Sequence, residues 1–243
     1  MDTYRKLPAV CKRGFKLVRG HFYFGLHASV GGPTSYLTLL RDPVDRIISD
    51  YMFTKRDKHN PLSNVLTSKN LTLKDYVESG VSLWTDNVQT RLLAGELGMD
   101  RVTPFGRCSE ELLEVAKENL DRYFGAVGIS ERFDEFLLVG RRTYGWSNCF
   151  YVKKNTIRNR LPKTGLSEDT LKTIQQFNRF DTALYEYCKK RSDEIVRDLG
   201  PSFQRQLRFF QLLNHLAGPT SMYAYGAERR LNALLGRPVH RAH

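Results

Sequence analysis

Hydrophobic spacing is clearest between residues 35 and 51. Tyr36, Leu37, Leu39 and Leu40 form a short apolar run flanked by turn-forming residues, the pattern of a strand covered on both faces. Val44, Ile47, Ile48 and Tyr51 then recur at i, i+3, i+4 and i+7, which predicts a helix with a core-facing stripe. Asp42 suits its N-cap and Pro43 its first position. The same reading along the chain predicts strands near 15–20, 35–40 and 125–129. It predicts helices near 43–56, 86–95, 109–123, 131–143, 168–177 and 181–198. Strands alternating with helices predict an α/β fold, a parallel sheet flanked by helices. Residues 1–199 are expected to form this domain and 200–243 a helical extension with a basic tail. In the extension, Phe203 to Leu216 is amphipathic, with Phe209, Leu212, Leu213 and Leu216 expected to pack on the domain or on a second copy in a homo-oligomer.

The chain has 243 residues, 41% of them hydrophobic, and a formal net charge of +12. That size fits one α/β domain, and the charge implies anionic partners, whether nucleotide, acidic glycan, nucleic acid or membrane surface. Cys11, Cys108, Cys149 and Cys188 show no metal-ligand or paired spacing, so free thiols are expected. No run approaches the roughly 20 apolar residues of a membrane span, and the N-terminus lacks a signal-peptide core. A cytoplasmic location is therefore expected, with a membrane anchor left open should residues precede Met1.

Arg41 falls at the carboxyl end of the second predicted strand, where open α/β sheets bind ligands and a helix N-terminus favours an anion. Ser49 lies off the apolar stripe, roughly 9 Å along the helix from Pro43 at about 1.5 Å per residue, so Arg41 and Ser49 could grip one phosphate. An ordinary strand, turn and helix with a salt-bridging arginine has the same spacing. Asn87 and Arg91, four apart, can share a helix face and are candidates to contact an acidic acceptor.

LRDPVDRIISDYMF from Leu40 resembles the 3′-phosphate-binding element of the sulfotransferase family that includes heparan sulfate 2-O- and 6-O-sulfotransferases and their bacterial relatives. KLVRGHF from Lys16, DNVQTRLLAG from Asp86, LLEVAKENLDRYFGAVGI from Leu112 and FNRFDTALYEYCKKR from Phe177 resemble further elements of that family in the same order. The resemblance implies a P-loop-NTPase-like sheet and an O-sulfotransferase acting on a carbohydrate hydroxyl. The donor would be 3′-phosphoadenosine 5′-phosphosulfate (PAPS), without a metal. It places Arg41 and Ser49 on the 3′-phosphate and His21 as the base, with His27 of Gly25-Leu26-His27 as the runner-up. Asn155, Thr156 and Arg158 would lie in a loop closing over the nucleotide.

The family's opening strand and Pro-Lys-Thr-Gly-Gly loop have no counterpart before the second strand. The expectation is a chain truncated at its N-terminus, with weak or no transfer activity alone. Pro162-Lys163-Thr164-Gly165 copies the letters of that loop, but the basic KKNTIRNR before it does not suit a sheet centre. It is read as chance, a circularly permuted loop being the alternative. A non-catalytic basic domain binding acidic glycan or nucleic acid is the competing function, though no nucleic-acid motif is present.

Overall fold

Tyr36–Leu40 forms strand β1 and Phe124–Ile129 forms strand β2, and the two pair in parallel with Leu37 opposite Ala126 and Leu40 opposite Ile129. The computed structural model describes residues 8, 11–12, 14–30, 32–98, 102–146, 149–152 and 161–234, the last of these, 217–234, as helical backbone only. Parallel strands need a long crossover. Here it carries helices α1 (Pro43–Arg56), α2 (Pro61–Ser68), α3 (Leu73–Glu78), α4 (Val88–Ala94) and α5 (Glu110–Tyr123). After β2 come α6 (Phe133–Tyr144), α7 (Glu168–Phe177) and α8 (Arg179–Leu234), the last broken at Gly200.

Local side-chain caps explain four of the eight helix starts among the described residues. The Asp42 side chain accepts the Asp45 amide at the head of α1, and Ser167 accepts that of Thr170 at the head of α7. Helices α2 and α3, absent from the sequence reading, have equally ordinary starts: Asn60 caps the first, and Thr72 with Asp75 makes a capping box on the second. They are only eight and six residues long, too short for apolar periodicity to announce them.

Three apolar clusters hold these pieces. Leu40, Val127 and Ile129 of the sheet pack with Leu113, Ala116 and Leu120 of α5 and Leu184 and Cys188 of α8. Ile47, Ile48, Leu66, Tyr76, Val77 and Ile174 join α1, α2, α3 and α7. Phe203, Leu207 and Phe210, beyond the break in α8, pack on Leu138 of α6. Gly128 lets α6 approach, since a Cβ there would stand 2.7 Å from Phe136. All four cysteines are free.

Three expectations change. Residues 15–20 form no strand: Phe15 and Leu17 are 51% and 63% exposed, and no described segment pairs with them. The sheet therefore has two strands among the described residues, and β1 is fully buried only at Leu40 rather than on both faces. The extension does pack on the domain, but through Phe203, Leu207 and Phe210, while Phe209, Leu212 and Leu216 of the expected stripe face solvent. No described helix is long and apolar enough to cross a membrane.

Candidate functional site

The carboxyl edge of the sheet is where the chain turns from β1 into α1, and that turn is fixed from three directions. Gln89 of α4 grips both backbone groups of Arg41: the Arg41 amide donates to Oε1 at 2.9 Å, and Nε2 donates to the Arg41 carbonyl at 3.0 Å. Ser130, just past β2, donates to the Leu40 carbonyl at 3.1 Å. Its neighbour Glu131 accepts the Asp42 amide at 3.2 Å and the Tyr185 hydroxyl at 3.3 Å. A turn whose buried amides and carbonyls are satisfied this way presents its side chains in one arrangement. Arg41 and Ser49 are both half-buried, at the head of α1 and along it.

Lys163 reaches this edge from the turn before α7. Its ammonium lies 2.9 Å from Oδ2 of Asp42. Burial would raise the Asp42 carboxyl, but the Asp45 amide and the Lys163 ammonium prevail and hold it below the usual carboxylate range. Lys163–Gly165 is a single 3₁₀ turn, and Leu161 and Pro162, the described residues just before it, are not in a strand.

Behind the edge lies a buried polar lattice. The Asp181 carboxylate accepts the amides of Gln89 and Thr90 at 3.1 and 2.8 Å, the first-turn donors of α4. Asn87 Oδ1 accepts the amides of Phe180 and Asp181 at 2.9 and 3.1 Å, the first-turn donors of α8. Arg46 of α1 donates to Asn178 at 3.1 Å and stands 3.9 Å from Asp181. Burial pushes the Arg46 guanidinium down from its ordinary value, against the attraction of Asp181 and Asp50. Arg91 is 0% exposed, pairing with Asp86 at 2.6 Å and Glu96 at 2.7 Å. Asn87 and Arg91, expected to touch an acidic acceptor, instead have their polar atoms engaged inside the protein, where Asn87 joins two helices and Arg91 anchors the 86–104 segment.

Both candidate histidines precede β1 in the chain. His21 is exposed on the irregular segment before the sheet. His27 is half-buried, its Nδ1 2.9 Å from the Tyr36 hydroxyl and its ring 4.8 Å from that of Tyr123. Tyr36 opens β1 and Arg41 follows its end, a span of about 16 Å at roughly 3.3 Å per residue, so His27 sits at the opposite edge from Arg41. Asn155, Thr156 and Arg158 lie outside the described residues. Gln89 and Asp181 escaped the sequence reading as site-builders, and Lys163 entered it only as part of the loop lookalike. Each is polar within a recognisable segment, but its partner lies 48 to 121 residues away.

Comparison with known proteins bears on this geometry. Human heparan-sulfate 6-O-sulfotransferase 1 is 28% identical over 178 residues, 63% of this chain and 42% of that protein. The zebrafish (Danio rerio) enzyme 1-B is 29% identical over 178 residues, with the same shares of 63% and 42%. Chicken (Gallus gallus) heparan-sulfate 6-O-sulfotransferase 2 is 26% identical over 179 residues, 63% of this chain and 43% of that one. The chain thus spans less than half the length of these relatives. The model of one family, described as galactose-3-O-sulfotransferase, matches residues 4–209, which take in both strands, the Arg41 turn and the buried lattice behind it. The chain belongs to the galactose-3-O-sulfotransferase family.

Proposed function

We propose that this chain is a PAPS-dependent O-sulfotransferase acting on a carbohydrate hydroxyl. The observation that carries the reading is the grip of Gln89 on the Arg41 backbone, which holds that arginine at the carboxyl edge of the sheet and the head of α1. The donor set suits a phosphate: a guanidinium, the Ser49 hydroxyl, a helix N-terminus and a second cation, Lys163, which offsets the Asp42 charge. When bound, PAPS supplies an activated sulfuryl group with 3′-phosphoadenosine 5′-phosphate as its leaving group.

Arg41 and Ser49 hold the 3′-phosphate. The acceptor oxygen forms the new bond to sulfur as the sulfur–oxygen bond to the 5′-phosphate breaks. A histidine takes the hydroxyl proton. His21 is the assigned base and His27 the alternative, and replacing each with Ala, with transfer rate as readout, separates them.

Calorimetry with 3′-phosphoadenosine 5′-phosphate tests the donor site. Arg41→Ala is expected to weaken binding at least tenfold and Ser49→Ala several-fold, since a charge-assisted hydrogen bond contributes roughly twice a neutral one. Undiminished affinity in Arg41→Ala would remove the assignment.

A further inference from the structure

We infer that the break in α8 forms a second anion site, a groove that holds an acidic glycan chain beside the donor edge. Gly200 has φ 69° and ψ −170°, so the helix stops there and restarts at Pro201, whose missing amide costs a first turn nothing. The bend leaves a concave surface of about 540 Å³. Val196, Pro201, Arg197, Arg205 and Arg208 are among the residues that line it. All three arginines are exposed, and none pairs with a carboxylate among the described residues. Asp193, the acid that lines the groove, is already bridged to Arg132.

Size and chemistry narrow the occupant. Arg197 precedes the break at Gly200 and Arg205 and Arg208 follow it, so the concavity gathers three cations from two helical segments. A chain carrying repeated sulfates or carboxylates engages all three. No aromatic ring lines the groove, so it lacks the stacking platforms that single-stranded nucleic acid uses.

Position completes the argument. Arg132 holds Asp193 at the groove, while its neighbour Glu131 accepts the Asp42 amide at the donor edge. Two consecutive residues therefore link the groove to the donor edge. The glycan identity rests on the sulfotransferase reading above.

The test measures binding of a heparin octasaccharide to the full chain by calorimetry over a salt series, with a duplex DNA as comparator. The triple variant Arg197→Ala/Arg205→Ala/Arg208→Ala is expected to bind the octasaccharide at least tenfold more weakly. Its slope of log K against log salt should be shallower by about 2 to 3, close to one unit per lost contact. Arg56→Ala/Lys58→Ala/Lys69→Ala removes the same charge from exposed positions on and beside α1 and α2 and should change binding less than twofold. Replacing the three groove arginines by lysine should retain most of the affinity, which separates lost charge from lost fold. Equal loss in both alanine triples, no loss in the groove triple, or a parallel loss of DNA affinity would overturn the groove as a glycan site. Affinity for 3′-phosphoadenosine 5′-phosphate is expected to stay unchanged in the groove triple. If the unaltered chain fails to bind that nucleotide while the octasaccharide results hold, the donor reading fails and the groove stands.

Discussion

Asn87 and Asp181 cap each other's helices. Asn87 occupies the N-cap position of α4 with φ 48° and makes no cap bond to its own helix, because its side chain is spent on the first turn of α8. Asp181, in that first turn, returns a carboxylate to the first turn of α4 and accepts the Thr90 hydroxyl as well. Two sets of orphan amides are satisfied by one exchange, and a negative charge sits against a positive helix end.

This exchange predicts coupled losses. Asp181→Ala removes the carboxylate beside Arg46, leaves two buried amides unpaired and is expected to cost about 3–5 kcal/mol of stability, the range for breaking a buried pair. Asn87→Ala should cost about 2 kcal/mol, through a lost cap and a left-handed backbone that Ala tolerates poorly. In a double-mutant cycle read by urea unfolding, the pair should show a coupling of about 1 kcal/mol or more. Additive losses would mean that the two caps act independently.

Gln89 predicts a separation of stability from binding. Gln89→Ala leaves the Arg41 amide and carbonyl without their partner and should cost about 1–3 kcal/mol. Gln89→Glu keeps the acceptor but sets a buried carboxylate oxygen against the Arg41 carbonyl, so it should cost at least as much. Both should weaken 3′-phosphoadenosine 5′-phosphate binding, with Arg41 itself unaltered. Calorimetry showing full affinity in folded Gln89→Ala would mean the grip does not position Arg41.

The difference between Asn87 and Arg91 as read and as found shows where sequence reasoning runs out. Their spacing was legible, and so was the helix that carries them. Their direction was not, because Asn87 is absorbed by α8 some ninety residues later and Arg91 by Glu96, Thr103 and Pro104 beyond α4. Polar residues on a short helix read as ligand contacts until a partner of known position absorbs them. The α1 start was legible because Asp42, Pro43 and the 44–51 stripe are local. The 15–20 strand failed for the opposite reason: a strand exists only if another pairs with it, and KLVRG carries no record of a partner.

Arg91 yields a discriminating prediction. Its guanidinium donates to Asp86 O and Oδ2, Glu96 Oε2, Thr103 O and Pro104 O, using all five of its N–H groups. Lysine has three donors and no fork, so Arg91→Lys leaves buried acceptors unpaired and should lower stability by about 2–4 kcal/mol. Where the variant remains folded, octasaccharide affinity should match that of the parent chain. A stable Arg91→Lys with reduced glycan affinity would restore the acceptor role that its burial argues against.

Asp42 gives a pH signature. Its carboxyl is held below the ordinary value in the folded chain, so it contributes stability that is fully present above the unfolded pKa, about 3.9, and is lost as pH falls through the folded value. Asp42→Asn keeps a good N-cap and removes only the charge that faces Lys163 and the head of α1. Because Lys163 is 44% exposed, solvent screening limits the effect. The variant should be about 0.5–1 kcal/mol less stable at pH 7. Denaturant titrations at pH 7, 5 and 3 should show that gap steady over the first interval and closing over the second. Lys163→Met should show the same trend from the other side of the pair. A gap that persists at pH 3 would trace the loss to altered cap geometry instead of charge, and Lys163 would then have no electrostatic part in holding the Arg41 turn.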